Sequence, residues 1–419
     1  MTEATGLDAL LASYPQLNEH TVAPPALGPF PGMAEALARV DAFCRAGTAG
    51  AAGLSALGNI LVREGRYLDA FEAYACASET DPADAAAHWA CAELAHILRD
   101  ETASRAHRAA ALALQRVYPD PAELGSRTPV VLLLRDAPYS ANAPLELLLD
   151  RRQFAVHKYY VEGAPERALP PHAAQIVAFG YASDGLRAID AALALAPAAP
   201  RLNDAARLER TARDRLAAVL AGIAGVQTVP YTFVPARAAP AIALPALVRP
   251  IDTHAGDGFA LIGDARSLAE HLDRFPAPAY GIAPYVDYRS DDGLFRKYRI
   301  IFVKGRAFPY HAAIAPRWMV HYQSSPMREH EWMRMEEAAF LHDPAGVFAH
   351  WSEATDAIAR AIGLEYFGID VARLPDGGML VFEADAAMLV HDEDEHDVFA
   401  YKRPFVARIR DALAAALRG

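Results

Sequence analysis

Hydrophobic and small residues recur at helical spacing over the first third of this chain. Between residues 33 and 118 they follow the three-to-four-residue period of helices that pack on one side. This region is therefore predicted to be a run of α-helices. Residues 1–32, rich in Pro and Gly, are expected to form a loosely structured lead-in.

The spacing changes near residue 128, where short apolar runs bounded by Pro or Gly begin. These runs predict buried strands at 128–138, 154–161 and 173–180, followed by a helical stretch at 183–196. Strands that alternate with helical stretches are typical of a small parallel α/β domain. The Pro-rich segment 195–204 then predicts a domain boundary.

The rest of the chain mixes both periods, which predicts an α+β region. Helices are expected at 206–224, 265–274, 347–362 and 403–418. Strands are expected at 226–233, 246–250 and 280–288, with a β pair at 296–315 and a loop rich in Trp, His and Met at 317–335. The predicted domains are therefore residues 1–125, 126–204 and 205–419.

One predicted hairpin carries carboxylates within its apolar strands. Residues 368–388 read GIDVARLPDGGMLVFEADAAM, with two apolar runs around a Pro-Asp-Gly-Gly turn. A turn centred on Asp376 and Gly377 puts Asp370 opposite Glu383, and Asp385 shares the face of Glu383. Because bare buried carboxylates are costly, a shared Mg²⁺ ion is one prediction, and a solvated acidic strand end is the alternative.

Composition and charge narrow the class of protein. A chain of 419 residues, 53% hydrophobic and 22% charged, suits a soluble protein of two or three domains. A net charge of −12 without a basic tract argues against nucleic-acid binding. The start MTEATGLDALL lacks the basic segment of a signal peptide, and no apolar run reaches the length of a membrane span. We therefore expect a cytoplasmic protein, which three scattered cysteines suit.

The helical region contains a repeat-like pattern. The pattern consists of leucines, small residues, one tyrosine and a final proline, at the spacing of a tetratricopeptide repeat. These residues are Leu54, Leu57, Gly58, Leu61, Ala70, Tyr74, Ala77 and Pro82. Residues 85–118 resemble a second, degenerate repeat. The functional interpretation is a groove for a protein or peptide partner, and the alternative is a structural cap.

Residues 200–415, with the hairpin carboxylates, resemble the amide-ligase branch of the ATP-grasp superfamily. That branch includes glutathione synthetases, D-alanine ligases and RimK-type glutamate ligases. The resemblance implies a small α/β domain followed by two α+β subdomains that hold ATP between them. It also implies an acid joined to an amine through an acyl phosphate, with ATP and Mg²⁺.

The same resemblance implies roles for individual residues. The metal ligands correspond to Asp370, Glu383 and Asp385, and Asp385 stands where the family usually has Asn. The nucleotide-binding positions are Arg215, Arg249, His254, Gly256, Gly258, Pro284 and Val286. Within this set, residues 252–259 correspond to the glycine loop over the phosphates, and both arginines stand where the family usually has Lys. The alternative for Arg215 is a solvated helix arginine.

Four further residues are expected to contact the reacting groups. Arg299 corresponds to the arginine at the transferred phosphoryl group, and Lys297 shares its strand face; a surface ion pair is the alternative for Arg299. Arg317 is expected to hold a substrate carboxylate, and His321 to pair with phosphate or act as a general base. The alternative there is a packed aromatic loop. The acidic run 391–397 is expected either to attract an amine or basic peptide or to be a solvated loop.

The resemblance predicts an ATP-dependent carboxylate–amine ligase acting on small-molecule or peptide substrates. Ligases of this branch are often dimers or tetramers, so a homo-oligomer is also expected. Two alternatives stay open: an ATP-grasp kinase that leaves the phosphoryl group on its acceptor, and a scaffold that binds nucleotide without turnover.

Overall fold

A computed structural model describes residues 4–13, 31–118, 127–137, 141–150, 152–161, 169–181, 199–251, 258–391 and 397–418. The chain forms two compact units. Unit 1 comprises Met1–His172, Ala191–Pro197 and His391–Asp397, and unit 2 comprises Ala173–Asp190, Ala198–Val390 and Val398–Gly419. The division into three domains stays a prediction.

Unit 1 begins with helices in the predicted helical region and one helix before it. They are α1 (Ala4–Ser13), α2 (Met33–Arg45), α3 (Gly50–Arg63), α4 (Tyr67–Thr80), α5 (Ala85–Ile97) and α6 (Glu101–Leu114). The expectation of a loosely structured lead-in is wrong for α1. This helix forms because Leu7 and Leu10 bury their side chains against Val40, Ala56 and Ile60.

Helices α3 and α4 approach each other closely at Gly58, where the repeat-like pattern has a small residue. A Cβ atom on Gly58 would lie 2.5 Å from the Tyr74 ring. The Tyr74 hydroxyl donates a hydrogen bond to Asn59 Oδ1 at 2.8 Å, so the buried ring also satisfies its polar end. The close approach is confirmed, whereas the assignment to the tetratricopeptide family stays a prediction.

The strands of unit 1 are β1 (Val117–Tyr118), β2 (Thr128–Leu134) and β3 (Phe154–Tyr160). Strands β2 and β3 pair in parallel from Thr128 opposite Phe154, and β1 pairs antiparallel with β3. Strand β3 is buried along its whole length, which explains its continuous apolar run. The parallel pairing is confirmed, and the helical stretch predicted at 183–196 lies outside the described residues.

Unit 2 contains the remaining elements. Its strands are β4 (Ala174–Val177), β5 (Arg201–Leu202), β6 (Val226–Thr228), β7 (Thr232–Pro235), β8 (Ala246–Pro250), β9 (Ala260–Ile262), β10 (Ala279–Pro284), β11 (Phe295–Val303), β12 (Arg306–Ala315), β13 (Tyr366–Arg373) and β14 (Met379–Asp385). Its helices are α7 (Ala205–Leu208), α8 (Arg213–Val219), α9 (Ala265–Arg274), α10 (Glu331–His342), α11 (Trp351–Ile362) and α12 (Arg403–Arg418).

Several predicted elements of unit 2 differ from the structure. The strand expected at 226–233 is divided into β6 and β7, which belong to different sheets. The helix expected at 206–224 is split into α7 and α8, because Ala212 between them has an extended ψ of 134°. The loop expected at 317–335 ends early, because α10 begins at Glu331. Met333, Glu337, Phe340 and Leu341 recur at helical spacing and are buried, which explains why this segment folds as a helix.

Unit 2 has two antiparallel sheet regions. Strands β7-β10-β8-β9 form one sheet, and β12-β11-β13-β14-β6 form the other, in which only β6 runs parallel to its neighbour. Tyr298 of β11 packs on Phe340 and Phe348, on the helix-covered face of the second sheet. By strand alternation, Lys297 and Arg299 point to the opposite face. Among the described helices, none combines the length and apolar character needed to cross a bilayer.

Candidate functional site

Four polar residues form a row across four neighbouring strands of the second sheet. His311 of β12 pairs with Arg299 of β11, Arg299 with Asp370 of β13, and Asp370 with Glu383 of β14. Directly opposed residues in antiparallel strands share one face and lie about 5 Å apart. We call these four residues the cross-sheet row. The predicted pairing of Asp370 with Glu383 is confirmed.

Two β-bulges create this row. The first bulge is on β12. Arg299 of β11 pairs with His311 and the next residue, Ile300, pairs with Pro309, which leaves Tyr310 of β12 as the extra residue. On β14 the pairing shifts between Asp370 and Val371, which leaves Phe382 as the extra residue. Bulges re-aim side chains next to functional sites, and here both occur at the same level of the sheet.

Asp370 is the most deeply buried carboxylate of the row, with a side chain only 1% exposed. Its oxygens accept hydrogen bonds from Arg299 Nε at 2.7 Å and Nη2 at 3.0 Å, and Lys297 Nζ lies 2.8 Å from Oδ2. Burial opposes ionisation, but the charges of Arg299 and Lys297 hold the pKa of Asp370 well below its usual range. Two cations on one carboxylate leave net positive charge at this point.

The next carboxylates along the hairpin are less compensated. Glu383 Oε2 lies 3.5 Å from Arg213 Nη2, and Asp385 Oδ1 accepts a hydrogen bond from the Ala387 amide at 2.9 Å. Burial raises the pKa of Asp385 to about 6, and the charge of Glu383 adds to this effect. Gly180 leaves the space that Asp385 occupies, because a Cβ there would lie 2.6 Å from Asp385 Oδ1.

This donor set partly fits the expected Mg²⁺ ion. Glu383 and Asp385 supply hard oxygen donors whose charge protein cations compensate only weakly, and Mg²⁺ commonly takes one or two carboxylates plus phosphate oxygens. The oxygens of Asp370 are instead engaged by Arg299 and Lys297. Across the residues that the structure describes, no group of three or more His, Cys, Asp or Glu side chains is arranged to hold a metal. Asp370 as a third ligand therefore stays a prediction.

Part of the predicted glycine loop can be located. Gly258 has a φ of +60°, and a Cβ there would lie 2.7 Å from Pro250 Cδ, so both conformation and space require glycine. Arg249 is buried on β8, with its guanidinium 5.4 Å from the centre of the Phe259 ring. His254 and Gly256 lie outside the described residues.

The structure does not bring Arg215 to the cross-sheet row. Its guanidinium pairs with Glu209 at 2.6 Å, and half of its side chain is exposed. Arg213, two residues earlier on α8, is the arginine that contacts Glu383. Sequence reasoning missed Arg213, because the helix period does not tell which of two nearby arginines faces the sheet.

The predicted nucleotide-binding positions Pro284 and Val286 lie at and just after the end of strand β10. Pro284 is its exposed last residue, and Val286 packs beside the cluster of Ala372, Leu374 and Leu380 on the β13–β14 hairpin. On the β7 side, Tyr231 lies against Gly281. Burial raises the pKa of its hydroxyl, the charges of Arg249 and Arg213 oppose this rise, and the charge of Glu383 adds to it. Tyr231 therefore lies between the two sheets of unit 2, at a position that the sequence did not indicate.

The loop after β12 places its two predicted substrate residues differently. His321 is partly buried, and its pKa is lowered by burial and by the charge of Lys297, so it lies close to the site. Arg317 is exposed. Between them, Trp318 packs against Phe259 of the glycine loop at 5.3 Å and against Tyr285 at 6.3 Å between ring centres.

A buried polar network adjoins the row on the β12 side. Glu337 of α10 accepts hydrogen bonds from the Ala312 amide at 3.0 Å, the Tyr322 hydroxyl at 3.2 Å and the Tyr401 hydroxyl. Lys402 Nζ lies 3.1 Å from the Tyr322 hydroxyl. The amphipathic pattern of α10 is the signal that could have placed Glu337, because it falls on the buried stripe of that helix.

Unit 1 has a groove of its own, formed by α2, α3 and α4. It encloses about 510 Å³ and is lined by Leu37, Asp41, Arg45, Leu57, Leu61, Arg66, Asp69, Glu72, Ala73 and Cys76. We call it the helical groove. Its arginines are paired within the groove, Arg45 with Asp41 and Arg66 with Asp69 at 2.6 Å.

Comparison with known proteins gives matches among solved structures. No family model and no curated protein sequence matches the chain. A RimK domain ATP-grasp protein from Sphaerobacter thermophilus is 17% identical, with a TM-score of 0.41, and the match covers 69% of this chain and all of that chain. The VanG D-Ala:D-Ser ligase of Enterococcus faecalis is 8% identical, with a TM-score of 0.44, over 70% of this chain and 99% of that one.

A third match is D-alanyl-alanine synthetase A of Vibrio cholerae, which is 11% identical with a TM-score of 0.44. It covers 70% of this chain and 98% of that one. At these identities and TM-scores, function has to be argued from the contacts of the site itself. In structure, the chain is similar to a solved ATP-grasp protein, to a solved ligase and to a solved synthetase.

Proposed function

We propose that this protein is an ATP- and Mg²⁺-dependent ligase that joins a carboxylic acid to an amine. One observation carries the proposal. In the cross-sheet row, Arg299 and Lys297 are fixed by the buried Asp370, next to the weakly compensated carboxylates Glu383 and Asp385. Fixed cations beside oxygen ligands are the groups that phosphoryl transfer from a nucleotide requires.

The proposed reaction has two steps. A carboxylate oxygen of the acid attacks the γ-phosphorus of ATP, the bond from that phosphorus to its bridging oxygen breaks, and ADP leaves. The amine nitrogen then attacks the acyl carbon and loses a proton, and phosphate leaves with one oxygen from the acid. The enzyme forms no covalent bond in either step, so positioning and charge stabilisation are what its residues supply.

The residues of the row have distinct roles in this proposal. Arg299 and Lys297 contact the oxygens of the phosphoryl group, and Asp370 holds both cations in position before the nucleotide binds. Arg249 and Gly258 contact the phosphates from the other sheet, with Arg213 near Glu383. When bound, Mg²⁺ would neutralise and orient the phosphate oxygens, held by Glu383 and Asp385 with Asp370 as the predicted third ligand.

Hydroxylamine provides a test that does not require the natural amine, because it attacks acyl phosphates and yields hydroxamates. The protein is incubated with ATP, Mg²⁺, hydroxylamine and a panel of carboxylic acids, and hydroxamate and ADP are measured. We expect equal amounts of both products with the right class of acid. Arg299→Met is expected to abolish both products while the protein stays folded.

The other outcomes separate the alternatives. A kinase would release ADP with an acceptor and leave a stable phosphorylated product, without hydroxamate. A nucleotide-binding scaffold would bind ATP and release no ADP with any acid or amine. Either result would contradict the ligase proposal.

Three further points belong to the proposal. The acid and amine are small molecules or peptides, and a protein or peptide partner binds in the helical groove. The enzyme works in the cytoplasm as a homo-oligomer. Sedimentation of the purified chain, with and without ATP, would test the last point.

A further inference from the structure

His311 is the member of the cross-sheet row to which the proposed reaction gives no role. It pairs with Arg299 across β12 and β11, and only 4% of the residue is exposed. Its Nδ1 atom is buried without a hydrogen-bond partner in the part of the chain that the structure describes. Buried polar atoms are almost always hydrogen-bonded, so a group that completes this site should exist.

The surroundings of His311 indicate the sign of that group. Burial lowers the pKa of His311 well below its usual range, and the charges of Arg299, Lys402 and Lys297 lower it further, opposed by the charge of Asp370. The ring is therefore neutral and lies among cations. A neutral imidazole can donate one N–H, and an anionic oxygen is the acceptor that this field favours.

Aromatic contacts fix the ring in place. His311 lies 4.8 Å from the centre of the Tyr322 ring and 5.1 Å from that of Tyr310. Lys402 Nζ lies 4.2 Å from the centre of the same Tyr322 ring, and Glu337 accepts a hydrogen bond from the Tyr322 hydroxyl. These contacts hold the imidazole ring in place before any ligand binds, which reduces the entropy lost on binding.

Position along the row indicates which anionic oxygen this is. Glu383 and Asp370 lie on the phosphate side, and Arg299 lies at the transferred phosphoryl group in the proposed reaction. His311 lies on the next strand beyond Arg299, and neighbouring strands are about 4.8 Å apart. An in-line acceptor must lie beyond the phosphorus, opposite the leaving oxygen and about 3–3.5 Å from the phosphorus.

We propose that His311 Nδ1 donates a hydrogen bond to the substrate carboxylate that accepts the phosphoryl group, with Lys402 supplying nearby positive charge. This inference rests on the proposed function and names a substrate-contacting residue for it. The ligand class is a carboxylate, and the subsite comprises His311, Lys402, Arg299 and Tyr322.

Binding of a simple carboxylate to the nucleotide-free full-length chain tests the inference. Acetate is the probe, with chloride as an anion control and inorganic phosphate as a second arm, each followed by isothermal titration calorimetry. In wild type, we expect saturable acetate binding that chloride does not reproduce. His311→Phe keeps a ring against Tyr322 but removes Nδ1, so acetate affinity should fall about tenfold or more.

Two further variants control for packing. In His311→Asn the amide nitrogen is bonded to Cγ, as Nδ1 is in histidine. This variant should therefore bind acetate with an affinity within about threefold of wild type. His271→Phe is the matched control, because His271 is a buried histidine near Phe275 with an unpartnered Nε2 among the described residues. It is expected to bind acetate as wild type does.

Each contrary result is informative. Absence of saturable acetate binding, or equal affinity in His311→Phe and wild type, overturns the inference. Binding of phosphate but not acetate through His311 would place the transferred group there and overturns it as well. If His311→Phe does not fold, the ¹⁵N chemical shift of His311 Nδ1 in the wild-type protein is measured by NMR instead of the affinity of the variant. The signal is assigned by its absence from the spectrum of His311→Asn. A shift that does not change when acetate is added then overturns the inference.

Failure of this inference and failure of the proposed function can be told apart. Acetate binding is measured without nucleotide, and hydroxamate formation is measured without reference to His311. If hydroxamate forms but His311→Phe binds acetate as wild type does, only the proposed subsite is rejected. Acetate binding with no hydroxamate from any acid rejects the ligase and keeps a carboxylate site.

Discussion

The cross-sheet row in unit 2 and the helical groove in unit 1 both bring acids and arginines together, but in different ways. In the groove, Arg45 pairs with Asp41 one turn earlier on the same helix, and 79% of the arginine side chain is exposed. In the row, Asp370 is 1% exposed and binds two cations from another strand. Exposed ion pairs contribute little to stability, whereas a buried charge that loses its partner costs much more. The charges of the row are therefore fixed in position, and those of the groove are not.

The largest expected effect comes from neutralising the buried acid. Asp370→Asn keeps the shape but leaves Lys297 and Arg299 without their counter-charge, so unfolding free energy should fall by about 3–5 kcal/mol in urea denaturation. Asp41→Asn in the groove should change it by about 0–0.5 kcal/mol. Similar values for the two variants would remove the distinction between the regions.

Exchanging the type of cation is expected to affect catalysis. Arg299→Lys keeps the charge but loses the fork that holds Asp370 and the phosphoryl oxygens, so hydroxamate formation should fall about 100-fold or more. Arg45→Lys is the matched change in the groove and should leave the rate unchanged. Full activity in Arg299→Lys would show that a point charge is enough at this position.

The two regions also use glycine for different reasons. Gly180 provides space for the Asp385 carboxylate, so Gly180→Ala should raise the Mg²⁺ concentration for half-maximal activity about tenfold. Gly65, between α3 and α4, has a φ of +72° with open space around it, so Gly65→Ala should cost about 1–2 kcal/mol of stability. An unchanged Mg²⁺ dependence in Gly180→Ala would mean that Asp385 is not near the metal.

The smallest expected effect is the response to salt. A double-mutant cycle on Arg45 and Asp41 should give a coupling of about 0.3–0.5 kcal/mol at low ionic strength and near zero in 1 M NaCl. The coupling of Lys297 with Asp370 should persist, because buried pairs are screened much less. Equal loss of both couplings would indicate that water reaches the row.

The sequence predicted the strands of the row but not the whole row. Pairing extended from the two-residue turn at Lys304 and Gly305 puts Tyr310 opposite Arg299, and only the bulge brings His311 there. On the other hairpin, the pairs nearest the turn are centred on Asp376, and a second bulge brings Glu383 opposite Asp370. That predicted pairing was confirmed although its assumed turn centre was not. Bulges depend on tertiary packing, which a period-two pattern does not contain.

The sequence also did not predict which side chains contact each other when they are far apart in the chain. The motif favoured Arg215 as a phosphate contact, but Glu209 lies close enough to pair with it, and Arg213 faces Glu383 instead. Lys402 and Glu337, far apart in the chain, meet around Tyr322 only after α10 and the segment before α12 have packed. Local spacing predicts elements, whereas partners distant in sequence require the folded sheet.

A crystal structure with Mg²⁺ and a non-hydrolysable ATP analogue is the decisive experiment for the proposed ligase. We expect a metal about 2.1 Å from carboxylate oxygens of Glu383 and Asp385, with the γ-phosphate in contact with Arg299 and Lys297. A nucleotide bound elsewhere, or one bound in unit 2 with both carboxylates and Arg299 away from it, would overturn the proposed function.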